Sequence, residues 1–311
     1  MRANRERRFP RHDAKSIIRS QSVLWSLAVG FRRILQCVAL LWVVLLHSGV
    51  SQTAAPGGES PEPARRIVMV GGVGFPESAT RRFVDWSGGK RGRILVAVWG
   101  GTSHRPETLF GWVKRILAPF EPGEVILAPT LIQMRFESGR QEFRRKLAVA
   151  TAIFFTGGDQ ESIMECVNQA NLGDALRASY RKGVVFGGNS AGTAIMSAYM
   201  ITGVEGRGRI DAANARVANG LGLIIQGIVD QHFIERQRQE RLFSVLMRFP
   251  GLWGLGMDEG NAVALEDESN VEVLGKGYVM LFANDRTDRN RFTVRLLAPG
   301  SYDLGKLTGG H

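Results

Sequence analysis

The sequence predicts an α/β protein: a mostly parallel sheet with helices on both faces, extended by antiparallel strands near the C-terminus. Three observations predict it. Short, β-branched runs that are apolar throughout alternate with longer stretches at helical spacing, several of those runs end in a pair of glycines, and the last part of the chain shows strand-like runs with no helix between them. A strand covered on both sides has no polar face to display, so uninterrupted apolar runs fit the centre of such a sheet.

In chain order, β-branched and aromatic enrichment places strands at Arg66 to Gly71, Ile94 to Trp99, Val125 to Ala128, Ala152 to Thr156, Val184 to Gly187 and Leu223 to Val229. Spacing at three and four residues places helices at Glu107 to Leu117, Arg140 to Ala148, Gln160 to Ala170 and Asp174 to Lys182. Ala262 to Leu265, Val271 to Leu274, Tyr278 to Phe282 and Phe292 to Leu297 follow as consecutive strands, which implies an antiparallel edge. Gly71-Gly72, Gly100-Gly101, Gly157-Gly158 and Gly187-Gly188 close four of the parallel strands. Sites in open α/β sheets form beyond the carboxyl ends of strands, and glycine turns there let backbone N–H groups approach a ligand. Neither a Rossmann glycine fingerprint nor a Walker A lysine is present, which argues against nucleotide binding.

Residues 1–55 read as an address rather than as part of the fold. Nine Arg and Lys residues up to Arg33 precede an uncharged apolar run from Ile34 to Leu46, followed by small residues to Ala55. This is the pattern of a cleaved export signal, and the run is shorter than the roughly 20 apolar residues of a membrane span. The expectation is an exported protein, periplasmic or extracellular, with cleavage near residues 51–55, a linker at 56–63 and a single domain over 64–311. The leader carries a net +7 of the formal +11, so the mature chain is only mildly basic, and no nucleic-acid partner is expected. Of the two cysteines, Cys37 falls in the leader and Cys166 on the apolar side of a helix, where it packs rather than reacts; no cysteine pair or histidine cluster has the spacing of a zinc site.

Val184-Val-Phe-Gly-Gly-Asn-Ser-Ala-Gly192 carries the G-x-S-x-G spacing of a nucleophile elbow. A serine hydroxyl needs presentation outside the chain's own packing, beside a base and near N–H donors, and a strand turning sharply into a helix supplies this at Ser190. Glycines on both sides are expected to permit the turn, and the small residues from Ala191 to Ala198 to let a helix pack behind it. The base must be His104 or His232, since His12 and His47 lie in the leader and His311 ends the chain. His104 sits in a polar loop, whereas Asp230-Gln231-His232 ends an apolar strand, which favours His232. The acid that orients the imidazole is Glu259 or Asp258, in Gly254-Leu-Gly-Met-Asp-Glu259. The order Ser, His, acid differs from that of α/β-hydrolases and argues against a lipase or esterase; Asp211 or Asp230 would restore that order but are poorly placed. One oxyanion donor is the N–H of Ala191, and the second comes from the turn Thr156 to Gln160, where a strand opens into a helix.

Phe155-Thr-Gly-Gly-Asp-Gln160, Gly187-Gly-Asn-Ser-Ala-Gly192, Val229-Asp-Gln-His-Phe233 with the arginines that follow, and Gly254-Leu-Gly-Met-Asp-Glu259 together resemble the cyanophycinase branch of the S51 serine peptidases. The resemblance implies a flavodoxin-like or class I glutamine-amidotransferase-like three-layer fold and a homodimer. Residue by residue it implies Ser190 as nucleophile, His232 as base and Glu259 as acid, with Gly158 and Ala191 as oxyanion donors. It also implies Gln160, Gln231, Arg236, Arg238 and Arg241 as substrate-binding residues, with no cofactor. Arginine forks suit carboxylates, and the implied substrate, cyanophycin, is a polyaspartate carrying arginine on each β-carboxyl, cut from one end to β-aspartyl-arginine. A solvated helix face, with Glu235 and Glu240 as partners, is the rival reading of the arginines. The related expectation is an S51 aspartyl or isoaspartyl peptidase acting on small peptides; a binding protein on the same fold is the more distant one.

Overall fold

The computed structural model describes residues 62–101, 106–202, 209–285, 288 and 291–309; the leader, most of the linker, His104 and His311 lie outside the described residues. Along the chain the elements are β1 (Arg66–Val70), α1 (Glu77–Trp86), β2 (Arg93–Ala97), α2 (Pro106–Leu117), β3 (Glu124–Leu127), α3 (Leu131–Met134), α4 (Glu137–Val149), β4 (Ala152–Phe155), α5 (Gln160–Gln169), α6 (Gly173–Arg181), β5 (Val185–Asn189) and α7 (Ala191–Ala194). Then come β6 (Tyr199–Ile201), β7 (Val217–Asn219), β8 (Gly227–Gln231), α8 (Gln239–Arg248), β9 (Trp253–Met257), β10 (Asn261–Glu266), β11 (Asn270–Gly275), β12 (Val279–Asn284), β13 (Phe292–Leu297), β14 (Gly300–Asp303) and α9 (Leu304–Thr308).

The main sheet has eight strands in the order β14-β11-β10-β1-β5-β4-β2-β3. From β1 to β3 the neighbours run parallel, and β10, β11 and β14 form the expected antiparallel edge. The apolar runs face both ways. Val68, Val70, Ile94, Val96 and Phe154 pack with Phe83 of α1 and Val113 and Leu117 of α2 on one side. Ile67, Met69, Leu95, Ala97, Ile153 and Phe155 pack with Phe143 of α4 and Ile163 and Val167 of α5 on the other. Each such side chain, fully buried, contributes about 1.5–3 kcal/mol of transfer free energy before entropy is charged against it. The result is the flavodoxin-like three-layer arrangement.

Two expectations change. The run Leu223 to Val229 is not one strand: β8 begins only at Gly227, because Leu221 to Ile224 is pinned behind α7 by Leu221 N–H to Ile195 O (2.7 Å) and Leu223 N–H to Met196 O (2.9 Å). One apolar stretch therefore serves two elements. The C-terminal strands also divide: β12 and β13 leave the main sheet and join β9 and β8 in a second sheet of order β13-β12-β9-β8. Helix α8 covers it, with Leu242, Val245 and Leu246 packed on Ile228, Phe233 and Phe282.

Candidate active site

The buried strand β5 delivers Ser190. The chain turns at the serine itself, which has φ 50° and ψ −115°, a region L residues avoid at a cost of about 1–3 kcal/mol. Surrounding bonds hold it there. Ser190 N–H donates to Val70 O (3.0 Å), and Ser190 O accepts from the N–H groups of Thr193 (2.9 Å) and Ala194 (3.0 Å). Gly188 and Gly192 do not adopt positive φ, so they are not there for freedom of rotation. Their role is space: a Cβ on Gly188 would overlap the carbonyl of Gly192, and one on Gly192 the carbonyl of Phe155. The helix behind the elbow, α7, is a single turn.

His232 follows β8, also at positive φ (49°), and only 3% of it is exposed. Its N–H donates to Gly71 O (2.7 Å), which fixes the imidazole over the end of β1. Nε2 lies 2.8 Å from Ser190 Oγ, and Nδ1 lies 2.5 Å from Glu259 Oε1. With Nδ1–H donated to the carboxylate, the lone pair on Nε2 faces the serine hydroxyl, which donates to it. Burial holds the imidazole below its ordinary pKa of 6.5; the Glu259 hydrogen bond opposes this, and the positive charges of Arg236 and Arg238 reinforce it. At neutral pH the ring is a neutral acceptor.

Of the two acids left open by the sequence, Glu259 makes the imidazole contact. Asp258 turns back, its Oδ1 accepting from the N–H groups of Glu235 (3.2 Å) and Glu259 (3.1 Å), and so steadies the turn that aims its neighbour. Gly72 closes the arrangement from β1: a Cβ there would fall 2.6 Å from imidazole Cε1 and Nδ1 and 2.8 Å from Glu259 Cγ. The Gly71-Gly72 pair, expected to give a ligand room, gives it to the protein instead: Gly72 to the histidine and glutamate, Gly71 to the backbone carbonyl of Asp258.

Gly158, at φ 131°, occupies a conformation that glycine readily takes. Among the described residues neither its N–H nor that of Ala191 has a hydrogen-bond partner. The adjoining turn is tied to the elbow, since Gly157 N–H donates to Asn189 Oδ1 (3.0 Å).

A family model for peptidase family S51 matches residues 130–273. A cyanophycinase of Geminocystis herdmanii is 33% identical over 220 residues, spanning 69% of this chain and 79% of that protein. The chain belongs to peptidase family S51. A cyanophycinase of Trichormus variabilis is 28% identical over 225 residues, 71% of this chain and 75% of that protein. A crystal structure of a peptidase from an acI-B1 actinobacterium superposes with a TM-score of 0.57 at 17% identity, over 78% of this chain and 97% of that one, a likeness in fold. Membership makes the chain a peptidase, and a serine type suits the family.

In this S51 peptidase the expected substrate-binding residues separate into two groups. Arg236 is exposed beside His232. Arg238 and Arg241, expected to line a substrate pocket, are 4% and 7% exposed and turn inward. Arg241 forks onto Asp230, which is fully buried; Arg238 donates to Gln231 O (2.7 Å) and Oε1 (3.2 Å). A buried carboxylate demands such compensation, which explains the departure. Gln160 is buried as well, donating to Ile201 O (2.9 Å). Sequence reasoning passed over Thr193, whose Oγ1 accepts from Val70 N–H (3.1 Å) and lies 2.9 Å from the carbonyls of Val70 and Gly188, binding the elbow to β1. Its position one turn after the serine was the available signal. Cys166 is buried, and burial pushes its thiol up to about 12, consistent with packing. Among the described residues no group of three or more His, Cys, Asp or Glu is placed to hold a metal, and no helix is long and apolar enough to cross a membrane.

Proposed function

We propose that this S51 peptidase is an exported serine exopeptidase that hydrolyses cyanophycin to β-aspartyl-arginine through Ser190, His232 and Glu259. The observation that carries it is the continuous relay from Ser190 Oγ through the imidazole (2.8 Å) to Glu259 (2.5 Å). In the proposed reaction Ser190 Oγ bonds to the scissile carbonyl carbon as its proton passes to His232 Nε2, and the carbonyl oxygen takes the negative charge between the N–H groups of Gly158 and Ala191. The C–N bond then breaks, His232 returns the proton to the leaving nitrogen, and a water deprotonated by the same imidazole cleaves the acyl ester. Glu259 keeps Nδ1 protonated and balances the transient imidazolium. The names of the 33% and 28% identical relatives support the polymer as substrate. Exposed Arg236 is the group that meets its carboxylates, while Arg238, Arg241, Gln160 and Gln231 shape the wall behind it.

The test is to incubate the purified chain with cyanophycin and follow soluble dipeptide, with Ser190→Ala as control. Release by the parent protein alone supports the reading. Cleavage of small aspartyl or isoaspartyl peptides without polymer hydrolysis replaces the substrate, and inertness toward both overturns the hydrolase assignment. Export is tested by N-terminal sequencing of protein recovered outside the cytoplasm, expected to begin just after residues 51–55.

A further inference from the structure

Between β2 and β4 the chain changes direction across the sheet. The helix that follows β2 packs on one face with Phe83, and the helix that follows β4 packs on the other with Phe143. Adjacent parallel strands whose connections leave toward opposite faces open a crevice beyond their carboxyl ends, the usual ligand position in open α/β sheets. A cavity of about 430 Å³ occupies this place, reached from Gly100 and Gly101 after β2 and from Gly157 after β4. It adjoins the nucleophile, because a Cβ on Gly157 would sit 3.3 Å from Ser190 Cβ. The volume is in the range of small-ligand sites, about 300–1,000 Å³.

Its lining has a definite chemistry. Leu109, Leu131 and Ile132 supply an apolar wall, and Ile132 is 72% exposed there. Among the described residues Glu107, in the first turn of α2, is the single charged residue of the lining, and it has no ion pair or hydrogen bond with any of them. A long apolar surface ending in a carboxylate complements a side chain with a methylene stem and a cationic head. The relay of His232 and Glu259 lies on the opposite flank of Ser190, toward β1, so this crevice is free to take a side chain of the residue next to the cleaved bond.

We propose that this crevice is a specificity subsite for an arginine side chain of the substrate, its stem on Leu131 and Ile132 and its guanidinium on Glu107. The proposal rests on the cyanophycin reading above and adds which residues select the cationic side chain.

The experiment measures kcat and KM for short β-arginyl polyaspartate oligomers and for matched oligomers carrying citrulline, a neutral near-isostere of arginine. The parent protein, Glu107→Gln and Ile132→Ala are compared. The parent is expected to favour arginine about three- to tenfold in kcat/KM, the size of a partly solvated charged contact. Glu107→Gln should erase that preference while kcat on the arginine oligomer stays within about threefold, and Ile132→Ala should lower kcat/KM for both oligomers alike. An unchanged arginine-to-citrulline ratio in Glu107→Gln, with the parent active, overturns the subsite and leaves the hydrolase reading intact. A parent protein that cleaves neither oligomer overturns the cyanophycin reading, and the subsite with it.

Discussion

Replacing Gly72 with alanine would separate the geometry of the relay from its chemistry, because no reacting group is altered. The added Cβ would meet imidazole Cε1 and Nδ1 at 2.6 Å and Glu259 Cγ at 2.8 Å. Carbon atoms rest about 3.5–4.0 Å apart, so the ring must retreat by about 1 Å. Ser190 Oγ and His232 Nε2 now stand 2.8 Å apart, and a retreat of that size takes them past hydrogen-bond range. A misplacement of about 1 Å costs roughly 10²-fold in rate, or about 2.7 kcal/mol of transition-state stabilisation. Gly72 is not at positive φ, so alanine brings no backbone strain and the melting temperature should fall only by the cost of displacing the two side chains it meets. The assay is kcat and KM on cyanophycin beside a thermal melt. The loss should fall on kcat. A variant within about threefold of the parent in kcat, or one impaired only in KM, would refute the reasoning. Gly71→Ala is the contrast: there the added Cβ overlaps the backbone carbonyl of Asp258, so stability falls as well as rate.

Glu259→Gln keeps the shape but loses the charge that selects the tautomer, and kcat on cyanophycin should drop by about 10³–10⁴-fold. The proposed relay requires neutral His232, so the rate should fall as pH drops through a pKa that burial and Arg236 hold below 6.5. Arg236→Ala removes one of those positive charges, raises the pKa and should move the acidic limb of the kcat/KM profile to higher pH; an unmoved limb counts against that coupling. Asp230→Asn strips Arg241 of its buried counter-charge and should cost about 3–5 kcal/mol in chemical denaturation. Thr193→Val removes the hydroxyl that ties the elbow to Val70, expected to cost about 0.5–1.5 kcal/mol by the same measurement.

The sheet centre was legible because burial on two faces leaves a plain signature. Val68 and Met69 point to opposite helical layers, so their run can only be apolar, and β1 to β5 lie within two residues of where composition places them. Ser190, His232 and Glu259 were legible for a related reason, each sitting where an apolar strand gives way to glycine or polar residues. Sheet membership was not. Nothing in Tyr278 to Phe282 says that β12 pairs with β9 rather than with β11, since pairing belongs to residues far apart in sequence. The inward turn of Arg238 and Arg241 was not legible, because a charged side chain is exposed by default. Asp230 neutralises them from eight and eleven residues away, across the turn between β8 and α8. Helix α1 escaped notice although Ala79, Phe83 and Val84 give it a buried stripe, because its polar and charged majority hides the spacing.

Ser190 hangs from the eight-stranded sheet, His232 from the four-stranded one, and Glu259 from the crossing between β9 and β10 that joins them. In the proposed reaction, proton transfer therefore reports how well two separately hydrogen-bonded slabs are docked. A slide of one slab by less than an atom's width should then silence the enzyme while every strand keeps its ladder. Gentle heating or dilute urea should thus extinguish turnover before any spectroscopic sign of unfolding, and lesions buried along that seam should masquerade as damage to the chemistry.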